Sequence, residues 1–331
     1  MNDELARKVA DAVLYEGYLL YPYRSSALKN RQRWSFGILY PPAYAEVRSG
    51  TERCLMRSEC LLETTRDTSV HVEVRFLHRG TRKVQRPGGP ESRRGSIAAE
   101  GAARETADDG VARSVHCDLT DLRNPFESRF SFPRLDAREL MSDGAFVTRS
   151  QRDVRGKITA QPVNVSDKVK KLRIAVENTT ELPSHPGDRD AALLRSMLST
   201  HAILSVQYGE FVSLLDPPEH LRAAALQCRN IGNFPVLIGE NGTRDMMLCS
   251  PILLYDYPQI APESAGDFFD ATEMDEMLTL RVTALTESEK EAMRMAGAQA
   301  RDLLDRTERS VRQQLARTHG VIRSIRRLEE P

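Results

Sequence analysis

The sequence predicts an α+β fold: an antiparallel sheet or sandwich in the first part, then a mixed part that ends in long helices. Three observations lead there. VHVEVRFLH sets Val70, Val72, Val74 and Phe76 against His71, Glu73 and Arg75, the two-residue period of a half-buried strand. KLRIAVEN repeats the alternation with Leu172, Ile174 and Val176 inward. No helical pattern separates these strands, and strands joined by turns imply antiparallel pairing rather than a doubly wound sheet. Beyond about residue 187 the pattern changes, so the chain divides into residues 1–180 and 181–331, packed together as one compact unit.

The elements follow in order. Residues 3–14 read as a short amphipathic helix with Asp3 as cap and Leu5, Val9, Ala12 and Val13 on one side. Gly17 ends it. WSFGILY, residues 34–40, reads as a strand closed by Pro41 and Pro42. Residues 111–119 and 154–160 are weaker strands. Between them and the clear strand lies a Gly-, Arg- and Glu-rich segment, residues 79–110, with almost no large apolar side chain. Such a segment buries too little surface to offset its ordering entropy and reads as a mobile insertion, with an extended hairpin arm as the alternative.

In the second part, residues 188–206 read as a helix with Leu194, Met197, Leu198 and His201 on one face. FVSLL reads as a strand. DPPEHLRAAALQC reads as a helix whose first turn accommodates Pro218. FPVLIG and MMLCSPILLY read as buried strands. TESEKEAMRMAGAQARDLLDRTERS opens on Thr286 and Glu289 at capping-box spacing and predicts a closing helix.

Bulk composition narrows the function. The 331 residues carry 47 Lys plus Arg and 47 Asp plus Glu, so the chain is neutral overall. It lacks the general positive field that draws proteins to phosphate backbones, and nucleic-acid binding is disfavoured. No run of 18 apolar residues suggests a bilayer span. Five cysteines, scattered and odd in number, fit reduced thiols and a cytoplasmic location. The dinucleotide, P-loop, hydrolase and zinc-protease signatures are missing, and no cofactor is expected.

Three stretches invite recognition. LYEGYLLYPYRSSALKNRQRW places Tyr15, Tyr18, Tyr21 and Tyr23 beside Arg24, Lys29, Arg31, Arg33 and Trp34. Aromatics with cations stack bases in single-strand binders, but they also anchor protein interfaces, and the neutral chain favours the second use. SPILLYDYPQIAPES carries Tyr255 and Tyr257 among prolines, as in an ordered recognition loop. PESAGDFFDATEMDEM then groups Glu263, Asp267, Asp270 and Glu273 without a basic residue. Carboxylates at Asp267, Asp270 and Glu273 could hold a hard divalent ion, but the spacing matches no EF-hand loop, and acids in the first turn of a helix explain them without metal. Cys54, Cys60, His71 and His78 offer poor zinc geometry, because residues seven apart on a strand point to opposite faces. The expected contact surface joins the Tyr/Arg segment, the tyrosine loop and the acidic stretch.

The same blocks, with FVSLLDPPE and GDFFDATEMDEMLTLR, resemble an uncharacterised bacterial protein family encoded beside nickel–iron hydrogenase genes. The resemblance covers roughly residues 8–44 and 188–285 and brings no catalytic residue with it. It implies a role in hydrogenase assembly or maturation, with hydrogenase subunits or maturation factors as protein partners. The leading expectation is therefore a non-catalytic cytoplasmic accessory or scaffold protein. An enzyme using carboxylates near Asp267 and Asp270 comes second, and a single-stranded nucleic-acid binder third.

Overall fold

The computed structural model describes residues 2–15, 36–48, 51–85, 104–141, 146–182, 188–259 and Lys290. Antiparallel strands dominate, with few helices. The strands are β1 (Leu55–Gln85), β2 (Arg104–Leu119), β3 (Phe126–Phe132), β4 (Leu135–Leu140), β5 (Phe146–Gln151), β6 (Val154–Asn164), β7 (Val169–Asn178), β8 (Met197–Val212), β9 (Phe234–Leu237) and β10 (Met246–Ser250). The helices are α1 (Asn2–Tyr15), α2 (Pro42–Val47), α3 (Arg189–Leu193) and α4 (Arg222–Leu226). The ten strands among the described residues belong to one sheet, whose main path runs β3-β6-β7-β1-β8-β10-β9. Strands from either side of residue 180 thus share one ladder.

β1, at 31 residues, organises the sheet by pairing different partners along its length. One edge meets β7 over Leu55–Glu63 and then β2 over Val70–Gln85. The opposite edge meets β8 over Leu61–His78 and then β5 over Gly80–Gln85. Register shifts against β8 fall between Thr64 and Ser69 and again between Arg75 and Leu77. Such irregularities bend a strand and increase its twist. The sheet curls far enough that Phe130 and Phe132 of β3 reach Phe76 of β1, with ring centroids 6.2 and 5.7 Å away.

The curl encloses the main core. Val70, Val72, Val74 and Phe76 face inward with Ile158, Ala160, Leu172, Ile174, Val176, Leu204 and Phe211. Each of the larger of these side chains contributes about 1.5–3 kcal/mol through burial, against about 0–1 kcal/mol for an exposed ion pair, so packing dominates the stability. On the outer face, α1 lays Ala6, Val9, Ala10 and Val13 on Ile203, Val236 and Leu248. The buried stripe of α1 is therefore rotated from the expected one: Val9 and Val13 are shared, whereas Leu5 and Ala12 lie at its margins. Among the described residues, no helix is long and apolar enough to cross a membrane.

Several expected elements are corrected. Residues 36–40 form no strand, only an isolated bridge between Leu39 and Met197. Gly37 takes φ +52, and the two prolines start α2 instead. The helix expected over 188–206 is a five-residue helix capped by Asp188, followed by β8. β8 turns Ala202, Leu204 and Val206 into the main core and Ile203 under α1, so both its faces are buried, and a run apolar on both faces loses its two-residue period. The segment from residue 79 is strand as far as Gln85 and again from Arg104, pairing out to Gln85 and Arg104 themselves. The hairpin arm is correct for these flanks because β5 supplies a second partner that local composition does not reveal. Residues 86–103 lie outside the described part, as does the closing helix apart from Lys290.

Candidate functional site

The chain leaving β10 turns at Pro251 and comes back along β9, where it is tied at several points. Asp256 accepts from the Leu237 N–H at 2.8 Å and from the Ser213 hydroxyl at 2.5 Å. The Tyr257 N–H donates to the Leu237 carbonyl at 2.7 Å, and its hydroxyl donates to the Thr243 carbonyl at 2.9 Å. These bonds occupy Leu237 backbone groups at the end of the sheet path, groups that would otherwise belong to an open edge. Tyr257 packs against the core with φ +55, and burial and the Asp256 carboxylate raise its hydroxyl pKa. It is an anchor.

Its neighbours do the opposite. Tyr255 is 85% exposed and Leu253 76%. Leu215, two residues past Ser213, and Phe234, the first residue of β9, are exposed as well. A tethered loop thus holds large apolar side chains in water, where nothing in the fold requires them.

Of the other residues expected to form the contact surface, Tyr15 ends α1, while Tyr18, Tyr21, Tyr23, Arg24, Lys29, Arg31, Arg33 and Trp34 lie outside the described residues. Glu263, Asp267, Asp270 and Glu273 do too, including the three carboxylates weighed as metal ligands. Tyr255 and Tyr257, taken together in the sequence, separate into a displayed and a structural residue.

A second polar constellation escaped the sequence reading. In the β1–β2 register His71 is opposite Asp118, Glu73 opposite His116, and Arg75 opposite Ser114, all on the outer face. His71 Nδ1 is 2.6 Å from Asp118 Oδ1, and His71 Nε2 is 3.3 Å from His116 Nδ1. His116 Nε2 is 3.2 Å from the Ser114 hydroxyl. The signal was present as H-x-D in HCD, residues 116–118, but its partner strand could not be paired from sequence alone. His78, on the inner face, is fully buried, and desolvation with the nearby Arg113 charge pushes its pKa down to about 4.

The thiols offer no nucleophile. All five cysteines are free, and burial pushes Cys117 and Cys228 up to about 11 and Cys249 to about 12. A buried thiol that stays protonated is chemically inert. Among the described residues, no group of three or more His, Cys, Asp and Glu is placed to hold a metal ion. No protein-family model matches the chain, and none of the curated proteins compared with it is similar in sequence.

Proposed function

We propose that the protein is a non-catalytic cytoplasmic accessory or scaffold protein that works through protein–protein contacts. The observation that carries this reading is the loop at 251–257, fastened by four hydrogen bonds yet presenting Leu253 and Tyr255 to solvent. Rigid loops with exposed aromatic and aliphatic side chains bind at low entropic cost, and tyrosine is a frequent interface anchor. The sequence resemblance supplies the setting: assembly or maturation of a nickel–iron hydrogenase, with hydrogenase subunits or maturation factors as partners. Affinity purification of the full chain from its native cells, followed by mass spectrometry, tests the reading. Enrichment of hydrogenase subunits or maturation factors supports it. A chain that comes through alone, or that binds oligonucleotide in a salt-sensitive way, overturns it.

A further inference from the structure

The outer face of the β1–β2 ladder brings two imidazoles nitrogen to nitrogen, with His71 Nε2 and His116 Nδ1 3.3 Å apart. The other nitrogen of each ring already faces an oxygen, Asp118 Oδ1 for His71 and Ser114 Oγ for His116. An ionised carboxylate only accepts hydrogen bonds, so the His71 proton belongs on Nδ1 and Nε2 turns a lone pair into the gap. A serine hydroxyl accepts as well as donates, so His116 can keep its proton on Nε2 and direct Nδ1 to the same point. In this tautomer both lone pairs meet at a point where a metal ion can take the place of the proton that joins the two nitrogens in the other tautomer.

The spacing suits one class of cation. Metal–nitrogen bonds of about 2.0–2.1 Å in a tetrahedral site put neighbouring ligands about 3.3–3.4 Å apart. Metal-ligating histidines also pass their second N–H to a carboxylate or another oxygen, which fixes the ring and strengthens the ligand. Both rings have such a partner here. Glu73, in register with His116, adds a second carboxylate to the same face as Asp118. Its nearest cations are Arg75 at 3.7 Å and Arg7 at 3.9 Å.

We propose that His71 and His116 form a surface site for a divalent first-row transition metal of the zinc class, with Asp118 and Ser114 as the positioning residues. Water completes the coordination, so the site binds more weakly than a closed four-ligand structural site. Imidazole ligands select zinc-like ions over magnesium, which prefers oxygen. The ion replaces the proton that otherwise bridges the two nitrogens, and no further reactant is involved. The inference is independent of the proposed partner role.

The test is calorimetric titration of tag-free, chelator-stripped full-length protein with zinc chloride, alongside His71→Gln, His116→Gln and Asp118→Asn. The wild type is expected to take up one ion per chain at a site that both histidine variants lose. Asp118→Asn is expected to bind about 10–100-fold more weakly, and magnesium chloride to give no binding heat. A zinc-dependent rise in thermal midpoint, present in the wild type and absent from both histidine variants, separates lost ligation from lost folding. Zinc uptake that survives unchanged in both histidine variants would place the ion elsewhere on the chain and overturn the proposal. So would a wild type with no saturable zinc binding.

Discussion

At Glu59 burial raises the carboxyl pKa, but the Arg229 N–H at 2.9 Å, the Arg173 guanidinium at 2.6 Å and the Lys171 ammonium at 3.7 Å outweigh it and hold the pKa below its ordinary value. The carboxylate ties the loop after α4 to β1, together with Asn230, which accepts from the Glu59 N–H, and Asn233, bonded to Ser58. Glu59→Gln is expected to cost about 1.5–3 kcal/mol in urea unfolding, the range for a hydrogen bond to a charged group. Histidines carry the opposite charge logic. Burial pushes His78 down to about 4 and His201 to about 3, from an ordinary value of 6.5. Both are neutral in the fold and take up protons more readily when unfolded. Their contribution is complete above pH 6.5, declines as pH falls below it, and is exhausted near the folded-state values. Each histidine adds a slope of at most about 1.4 kcal/mol per pH unit in that window. Thermal midpoints measured from pH 7 to pH 4 should therefore fall, and His78→Gln should make the fall shallower. Glu59 adds its own loss only below about pH 4.5, where its unfolded form becomes protonated.

Among the elements, β8 separates what the sequence makes legible from what it hides. Strands with one face inward, such as 70–78 and 171–178, show their period and are found where expected, since alternation follows directly from the pleat. β8 is buried along Met197–Val206 on both faces, and MLSTHAILSV shows a continuous apolar run that a helical stripe fits equally well. β3 had a readable alternation in FESRFSF, with Phe126, Phe130 and Phe132 on one face, and its phenylalanines pack on the core. The long hairpin of β1 and β2 was hidden for another reason: its stability depends on β5, which comes later in the chain. The strand assignment at β8 makes a sharp prediction. Ala202 pairs with Val74 on one side and Cys249 on the other. Ala202→Pro removes an N–H from the middle of a ladder, which is expected to cost about 3 kcal/mol or more and to leave little folded protein by circular dichroism.

At the scale of the molecule, one curled sheet forms the scaffold, and α1 seals part of its outer face. The fold displays two features that packing does not need: the tethered loop with Leu253 and Tyr255, and the histidine pair on the β1–β2 ladder. The sequence made the loop legible because prolines and tyrosines after an apolar strand are a local pattern. It could not sort Tyr255 from Tyr257, because the partners that anchor Tyr257, Leu237 and Thr243, reach it only through folding. The histidine pair was hidden for the same reason, since His71 and His116 are 45 residues apart and meet only through strand register. Exposed side chains on the loop contribute little to stability, so Leu253→Ser with Tyr255→Ser should leave the unfolding free energy within about 0.5 kcal/mol of wild type. The decisive measurement is quantitative co-purification with that double variant beside the wild type. Hydrogenase subunits or maturation factors retained by the wild type and lost from an equally stable variant are the predicted result. Equal retention by both chains, or nothing retained by either, would contradict the claim that this loop is where the protein meets its partner.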